Sequence, residues 1–98
     1  MEITKERNGT SLTLHLAGRL DTNTSPELEK ETDSELQDVT DLTFDLKDLD
    51  YISSAGLRVI LKAQKEMNKK GTMKVCNVND IIMEIFEVTG FTDILTIS

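Results

Sequence analysis

The strongest constraint on the fold is an alternation. Leu12, Leu14 and Leu16 are separated by Thr13 and His15, so in an extended backbone every second side chain is apolar and points the same way. Leu42, Phe44 and Leu46 repeat the pattern, in a segment that should end near Leu49. A strand that is apolar on one side needs a second layer to cover that side. Upstream of the first strand, Asn8-Gly9 separates a short run over Ile3–Arg7 from Thr10–Ala17. This dipeptide tolerates positive φ at both central positions of a type I′ turn, so the chain is expected to open with a β-hairpin.

Helical segments fall between the strands. In Thr24-Ser25-Pro26-Glu27, Thr24 or Ser25 can cap a helix, and Glu27 stands three residues after Thr24 as a capping box requires. Leu28, Thr32 and Leu36 then share one thin apolar face of an otherwise acidic helix. A longer helix is expected from the Tyr51–Gly56 segment to about Lys70. Leu57, Ile60, Leu61 and Met67 would face inward, Arg58, Lys62, Lys65 and Lys69 outward, and Gly71 would follow its end. Met73–Val78 reads as a fourth strand, with Cys76 as a small buried filler. Asn79 or Asp80 can cap a last helix with Ile81, Ile82, Ile85 and Phe86 inside and Gly90 at its end. Phe91–Ile97 would close the chain, as an edge strand at most. The expected class is α/β, a mixed sheet of four to five strands that opens with a hairpin and is packed by three to four helices.

Charge and composition then narrow the function. The 98 residues suit one domain, expected over 1–98, and carry a net charge of −7. That balance argues against direct nucleic-acid binding, which needs a cationic face. No apolar run approaches the roughly 20 residues needed to span a bilayer, and the first residues lack the apolar core of a signal peptide. The single Cys76 forms no internal disulfide and suits a reducing compartment, so a cytoplasmic location is expected. One Cys and one His do not make a usual zinc site. The glycines form neither a phosphate-binding loop nor a dinucleotide fingerprint, and no nucleophile elbow is present. No cofactor and no metal are expected. The lone His15 reads as surface decoration, and Met67, Met73 and Met83 read as core. The charge is also unevenly distributed: Asp21–Asp50 holds eleven acids and two bases, Tyr51–Lys74 six bases and one acid. Solvated helix faces would account for this, and so would a surface with electrostatic sidedness that orients a protein partner.

Chemistry concentrates at Asp48-Leu49-Asp50-Tyr51-Ile52-Ser53-Ser54-Ala55-Gly56-Leu57, where a strand exit becomes a helix N-terminus. Helix-initial amides lack intrahelical partners and favour negative charge. A serine here serves as an N-cap, and a phosphate on it would accept charge-assisted bonds from those amides. The small Ala55 and Gly56 would leave room for another protein's backbone.

The segment Leu49–Leu61 strongly resembles the signature of STAS domains, in particular bacterial anti-sigma factor antagonists. Leu16-Ala17-Gly18-Arg19-Leu20-Asp21 resembles the block those proteins carry after their second strand. Val88-Thr89-Gly90-Phe91, with Ile94-Leu95, resembles the end of their C-terminal helix. The resemblance covers nearly the whole chain in order. It implies a STAS-like fold and a non-enzymatic role. The unphosphorylated protein would bind an anti-sigma factor that is also a serine kinase, and so release a sigma factor. Phosphorylation would switch binding off, and a metal-dependent serine phosphatase would restore it. The resemblance places the phospho-acceptor at Ser54. Where the family often has Asp directly before the acceptor this chain has Ser53, which becomes the alternative acceptor. It further implies a partner-binding face of Asp21, Thr22, Ser53, Ser54, Ala55, Gly56 and Leu57 on a monomer. Some relatives are instead structural STAS subunits of stressosome-like assemblies or lipid-transport ATPase complexes, without phospho-switching. A small hydrolase built on Ser54 would need a general base in view.

Overall fold

The computed structural model describes all 98 residues. Strands β1 (Glu2–Asn8) and β2 (Ser11–Leu20) form the opening hairpin, and helix α1 (Ser25–Glu35) follows, continued by a 3-10 turn over Leu36–Asp38. Strand β3 (Asp41–Ile52), helix α2 (Ser54–Met67), strand β4 (Thr72–Cys76) and helix α3 (Asp80–Thr89) complete the alternation. The four strands lie in chain order, with β1 antiparallel to β2, and β2, β3 and β4 mutually parallel. This is the expected mixed sheet, with four strands and three α-helices.

The hairpin loop is Gly9-Thr10, since Asn8 pairs with Ser11. Only Gly9 has positive φ there, at 64°, so the type I′ turn with both central residues left-handed is not the one used. Glycine in the first central position gives the strands the twist that a two-residue connection needs.

Leu12, Leu14, Leu16 and Leu20 on β2, and Leu42, Phe44, Leu46, Leu49 and Ile52 on β3, are buried on the side covered by helices. Thr13, His15, Thr43, Asp45 and Lys74 lie on the other, open side. The helices contribute Leu28 from α1, Leu57, Val59, Ile60, Ala63 and Met67 from α2, and Ile82 and Phe86 from α3, all in one continuous core. Met67 and Met73 are core as expected, whereas Met83 is half-buried.

Several expectations are corrected. Thr24 is the residue before α1 but its side chain makes no cap bond, so the capping box with Glu27 does not form. Helix α2 ends at Met67, three residues before Lys70, and β4 ends at Cys76 rather than Val78. Ile81 is 61% exposed: only Ile82 and Phe86 of the four expected inner residues of α3 are fully buried, with Ile85 half-buried. Cys76 is half-buried, because Val75 takes the inward position and the next residue of a strand must point to the open side. Burial raises the Cys76 thiol's pKa, and the nearby Asp45 carboxylate adds to the effect. His15 is not loose decoration. Its ring bridges Asp45 on β3 (Nδ1, 2.9 Å) and Glu6 on β1 (Nε2, 3.2 Å). The closing segment is a 3-10 turn over Phe91–Asp93, followed by a tail that meets the outer edge of β4 at one bridge, Val75 with Ile97.

Candidate functional site

The parallel strands β2 and β3 end together, and two loops leave from the same end of the sheet. Leu20 pairs with Ile52, and the Ser53 amide donates to the Leu20 carbonyl at 2.9 Å. That bond holds the start of α2 beside the loop Asp21–Thr24, so the structure brings the expected residues Asp21, Thr22, Ser53, Ser54 and Ala55 into one neighbourhood.

Ser53 keeps an extended backbone (φ −98°, ψ 174°) and caps α2, its Oγ accepting from the Gly56 amide at a long 3.4 Å. Ser54 is the first helical residue. It is exposed, and its hydroxyl takes no part in any hydrogen bond. The two serines therefore divide the work: one hydroxyl closes the helix end and the other is left to solvent.

Gly56 and Leu57, also expected at a partner-binding face, point inward. Leu57 is only 6% exposed, and a Cβ on Gly56 would come 2.6 Å from Leu20 Cγ and 3.0 Å from Ile52 Cγ1. The glycine thus lets α2 descend onto the ends of β2 and β3, rather than making space for an outside backbone. Both residues set the height of Ser54 above the sheet. Ala55 is half-buried beside a groove of about 330 Å³ between α1 and α2, whose walls include Pro26, Glu29, Arg58 and Lys62.

The neighbouring loop is rigidly tied. Asp21 Oδ1 accepts from the amides of Asn23 (3.0 Å) and Thr24 (3.1 Å). The Thr24 hydroxyl donates to the Arg19 carbonyl (2.7 Å) and accepts from the Asp21 amide (2.9 Å). Burial pushes the Asp21 carboxyl upward, but the Thr24 and Asn23 amides, the Thr24 hydroxyl and the Arg19 charge outweigh it and hold its pKa below the ordinary value. The Arg19 guanidinium lies 4.4 Å from the centre of the Tyr51 ring and 3.7 Å from Asp21. Thr22 sits exposed at the tip.

Charge around the site is mixed. Asp48 and Asp50 are exposed on the last residues of β3. On α2, Lys62 is held by Glu29 (3.3 Å) and Asp33 (3.1 Å) of α1, which ties the two helices together. His15 is engaged by Asp45 and Glu6 and bonds to neither serine. No cluster of three His, Cys, Asp or Glu side chains is arranged to hold a metal ion, and no helix is long and apolar enough to cross a membrane. Sequence reasoning did not find the Arg19–Tyr51 stack or the Leu20–Gly56 contact, because both pair residues more than thirty positions apart through strand register.

Comparison with known proteins agrees along the whole chain. The STAS domain family profile matches residues 2–98. The anti-sigma-B factor antagonist of Bacillus subtilis (strain 168) is 30% identical over 94 residues, covering 95% of this chain and 86% of the relative. The anti-sigma F factor antagonist of Paenibacillus polymyxa is 32% identical over 100 residues, covering 99% and 86%. Among solved structures, the anti-sigma factor antagonist SpoIIAA in its unphosphorylated form superposes with a TM-score of 0.84 at 18% identity, covering 99% of this chain and 88% of that one. Its phosphorylated form superposes at 0.78 and 16%, covering 99% and 91%.

Proposed function

The chain belongs to the STAS domain family, and from that premise we propose that it is an anti-sigma factor antagonist, acting as a single domain over residues 1–98 in the cytoplasm. It works by binding. In the unphosphorylated state it engages an anti-sigma factor with serine kinase activity and frees the sigma factor that protein holds. The kinase transfers the γ-phosphoryl group of ATP to Ser54: the Oγ–P bond forms, the bond to the ADP leaving group breaks, and the Oγ proton passes to a base of the kinase. A metal-dependent serine phosphatase reverses this, with water attacking phosphorus and the serine hydroxyl restored.

One observation carries this reading: Ser54 presents a free hydroxyl at the first residue of α2 while its neighbour Ser53 does the capping. A kinase can take the Ser54 hydroxyl without unmaking a structural bond. The same contrast favours Ser54 over Ser53 as acceptor. The binding face comprises Asp21, Thr22, Ser53, Ser54 and Ala55, with Gly56 and Leu57 shaping it from below. The names of the relatives, anti-sigma factor antagonists over nearly the full chain, support the general role.

The switch follows from charge. A phosphoryl group adds about −1.5 to −2 at pH 7, in a chain segment that already holds the exposed Asp48 and Asp50. At an interface built for a neutral hydroxyl, added bulk and added charge together cost several kcal/mol, about 10²-fold or more in affinity. Calorimetry of the purified protein against the anti-sigma kinase of its own genome tests this. Ser54→Ala should bind as the parent does, and the Ser54-phosphorylated protein should bind about 10²-fold more weakly or not at all. Equal affinity of the parent and the phosphorylated protein would overturn the switch. In cells, phosphate mapped to Ser53 would move the acceptor, and no phosphate under any growth condition would favour a structural STAS subunit.

A further inference from the structure

From the side chains around Ser54 we infer that Arg58 is the chain's own counter-ion for a phosphate on that serine, and that the guanidinium turns onto it when the group is added. The inference rests on the reading of Ser54 as the acceptor and adds what the modified state looks like.

Eleven lysines and arginines are present, and five of them, Lys5, Arg7, Arg19, Lys62 and Lys70, are spent on carboxylates. Arg58 is among those that are not. It is exposed on α2 and makes neither an ion pair nor a side-chain hydrogen bond. It is also the only cation within four residues of Ser54 on either side, where the sole other charge is Asp50. One helical turn separates the two positions, and residues at this spacing have Cβ atoms about 5–6 Å apart. A phosphoryl group and an arginine stem together span that interval easily.

The chemistry is selective as well. A guanidinium offers paired N–H donors that match two phosphate oxygens, and it keeps its charge at any working pH. Lys62, one further turn along, could not substitute, because Glu29 and Asp33 already hold it. Arg19 is engaged by the Tyr51 ring and Asp21. In the unmodified protein the Arg58 stem forms part of the wall of the groove between α1 and α2, beside Ala55 and Val59. Turning toward residue 54 withdraws it from that wall, so modification alters the surface at two places at once.

The test installs phosphoserine at position 54 by genetic encoding, which needs neither the kinase nor any partner. The second ionisation of the phosphate is followed by phosphorus NMR at low salt, starting from a free phosphoserine value of about 6. With Arg58 present the phosphate should titrate lower than in the Arg58→Ala protein by about 0.3 unit or more, as expected of an exposed pair. Arg58→Lys should fall between the two. Lys65→Ala, on the same helix face but three turns from Ser54, should leave the titration where it is. Coincident curves for the parent and Arg58→Ala would overturn the inference, and so would a Lys65→Ala shift as large as that of Arg58→Ala. Because the phosphate is placed by encoding, absence of phosphate on Ser54 in cells would count against the acceptor assignment and leave this result standing.

Discussion

Helices α1 and α2 each begin with a pair of hydroxyl residues at the end of a parallel strand, Thr24-Ser25 and Ser53-Ser54, and the two pairs are used differently. At α1 one hydroxyl is bonded and the other is buried. The Thr24 hydroxyl bonds the Arg19 carbonyl and the Asp21 amide, and Ser25 is 6% exposed. At α2 one hydroxyl caps the helix at 3.4 Å and the other bonds nothing. The difference has a backbone origin. Ser53 is extended and so can cap, whereas Thr24 has helical dihedrals (φ −103°, ψ −20°) and turns its side chain back toward the strand. A hydroxyl bound into a loop cannot be modified without undoing the loop, and a hydroxyl left free can.

Three measurements would break or sharpen that contrast. The largest effect is expected beneath α2. Gly56→Ala places a methyl group 2.6 Å from Leu20 Cγ, and the overpacking should cost about 1–3 kcal/mol of unfolding free energy, read as a lower urea midpoint. An unchanged midpoint would mean that α2 is not seated on β2 as described. Next comes the hydroxyl series itself. Thr24→Val should cost about 1 kcal/mol for its two lost bonds, Ser53→Ala about 0.5 kcal/mol for a long cap bond, and Ser54→Ala less than about 0.5 kcal/mol. A Ser54→Ala loss equal to that of Thr24→Val would abolish the distinction between the two helix starts. The smallest effect is confined to acid. The Asp21 carboxyl is held below its ordinary pKa, so the native state binds fewer protons than the unfolded chain and the carboxylate's stabilisation is complete above the unfolded value. It is lost as pH falls through the folded value. Urea midpoints of the parent and Asp21→Asn should differ by a constant amount at pH 5–7 and converge below about pH 4. A gap that stays constant down to pH 2 would show that the Asp21 loop does not depend on charge.

The sheet and its helix-covered face were legible because alternation at Leu12–Leu16 and Leu42–Leu46 has no other economical solution. The seating of α2 was legible in outline, since Leu57, Ile60 and Met67 recur at helical spacing. What the chain does not spell out locally is which of two adjacent small polar residues will cap. Ser53 over Ser54, and the failure of Thr24 to cap at all, are decided by dihedrals imposed by strand register. Ile81 was misplaced because α3 is apolar on more than one side, so spacing alone gives two candidate inner faces. Cys76 was misplaced by one residue of phase in a short strand, where Met73 and Val75 already claimed the inner positions. The closing strand failed for lack of length: after the turn at Phe91–Asp93, only the stretch around Ile97 reaches β4. At the candidate site, the expectation that Ser54 is the acceptor came from resemblance to a family, whereas the freedom of the Ser54 hydroxyl and the inward orientation of Gly56 and Leu57 are visible only in three dimensions.

The tail around Ile97 has a further consequence. A sheet with four strands in chain order has two bare margins, each a template onto which a strand from another molecule could add. On one margin the tail occupies the β4 backbone, Val75 donating to Thr96 and Ser98 donating to Val75 at 2.9 and 3.0 Å. On the other, β1 carries Glu2, Lys5, Glu6 and Arg7 in seven residues, which makes an incoming strand desolvate charge to pair. Edge-to-edge aggregation is thus opposed by occupancy on one side and by charge on the other. A small domain with one exposed helix-start loop is thereby kept from offering its sheet margins to every other strand it meets.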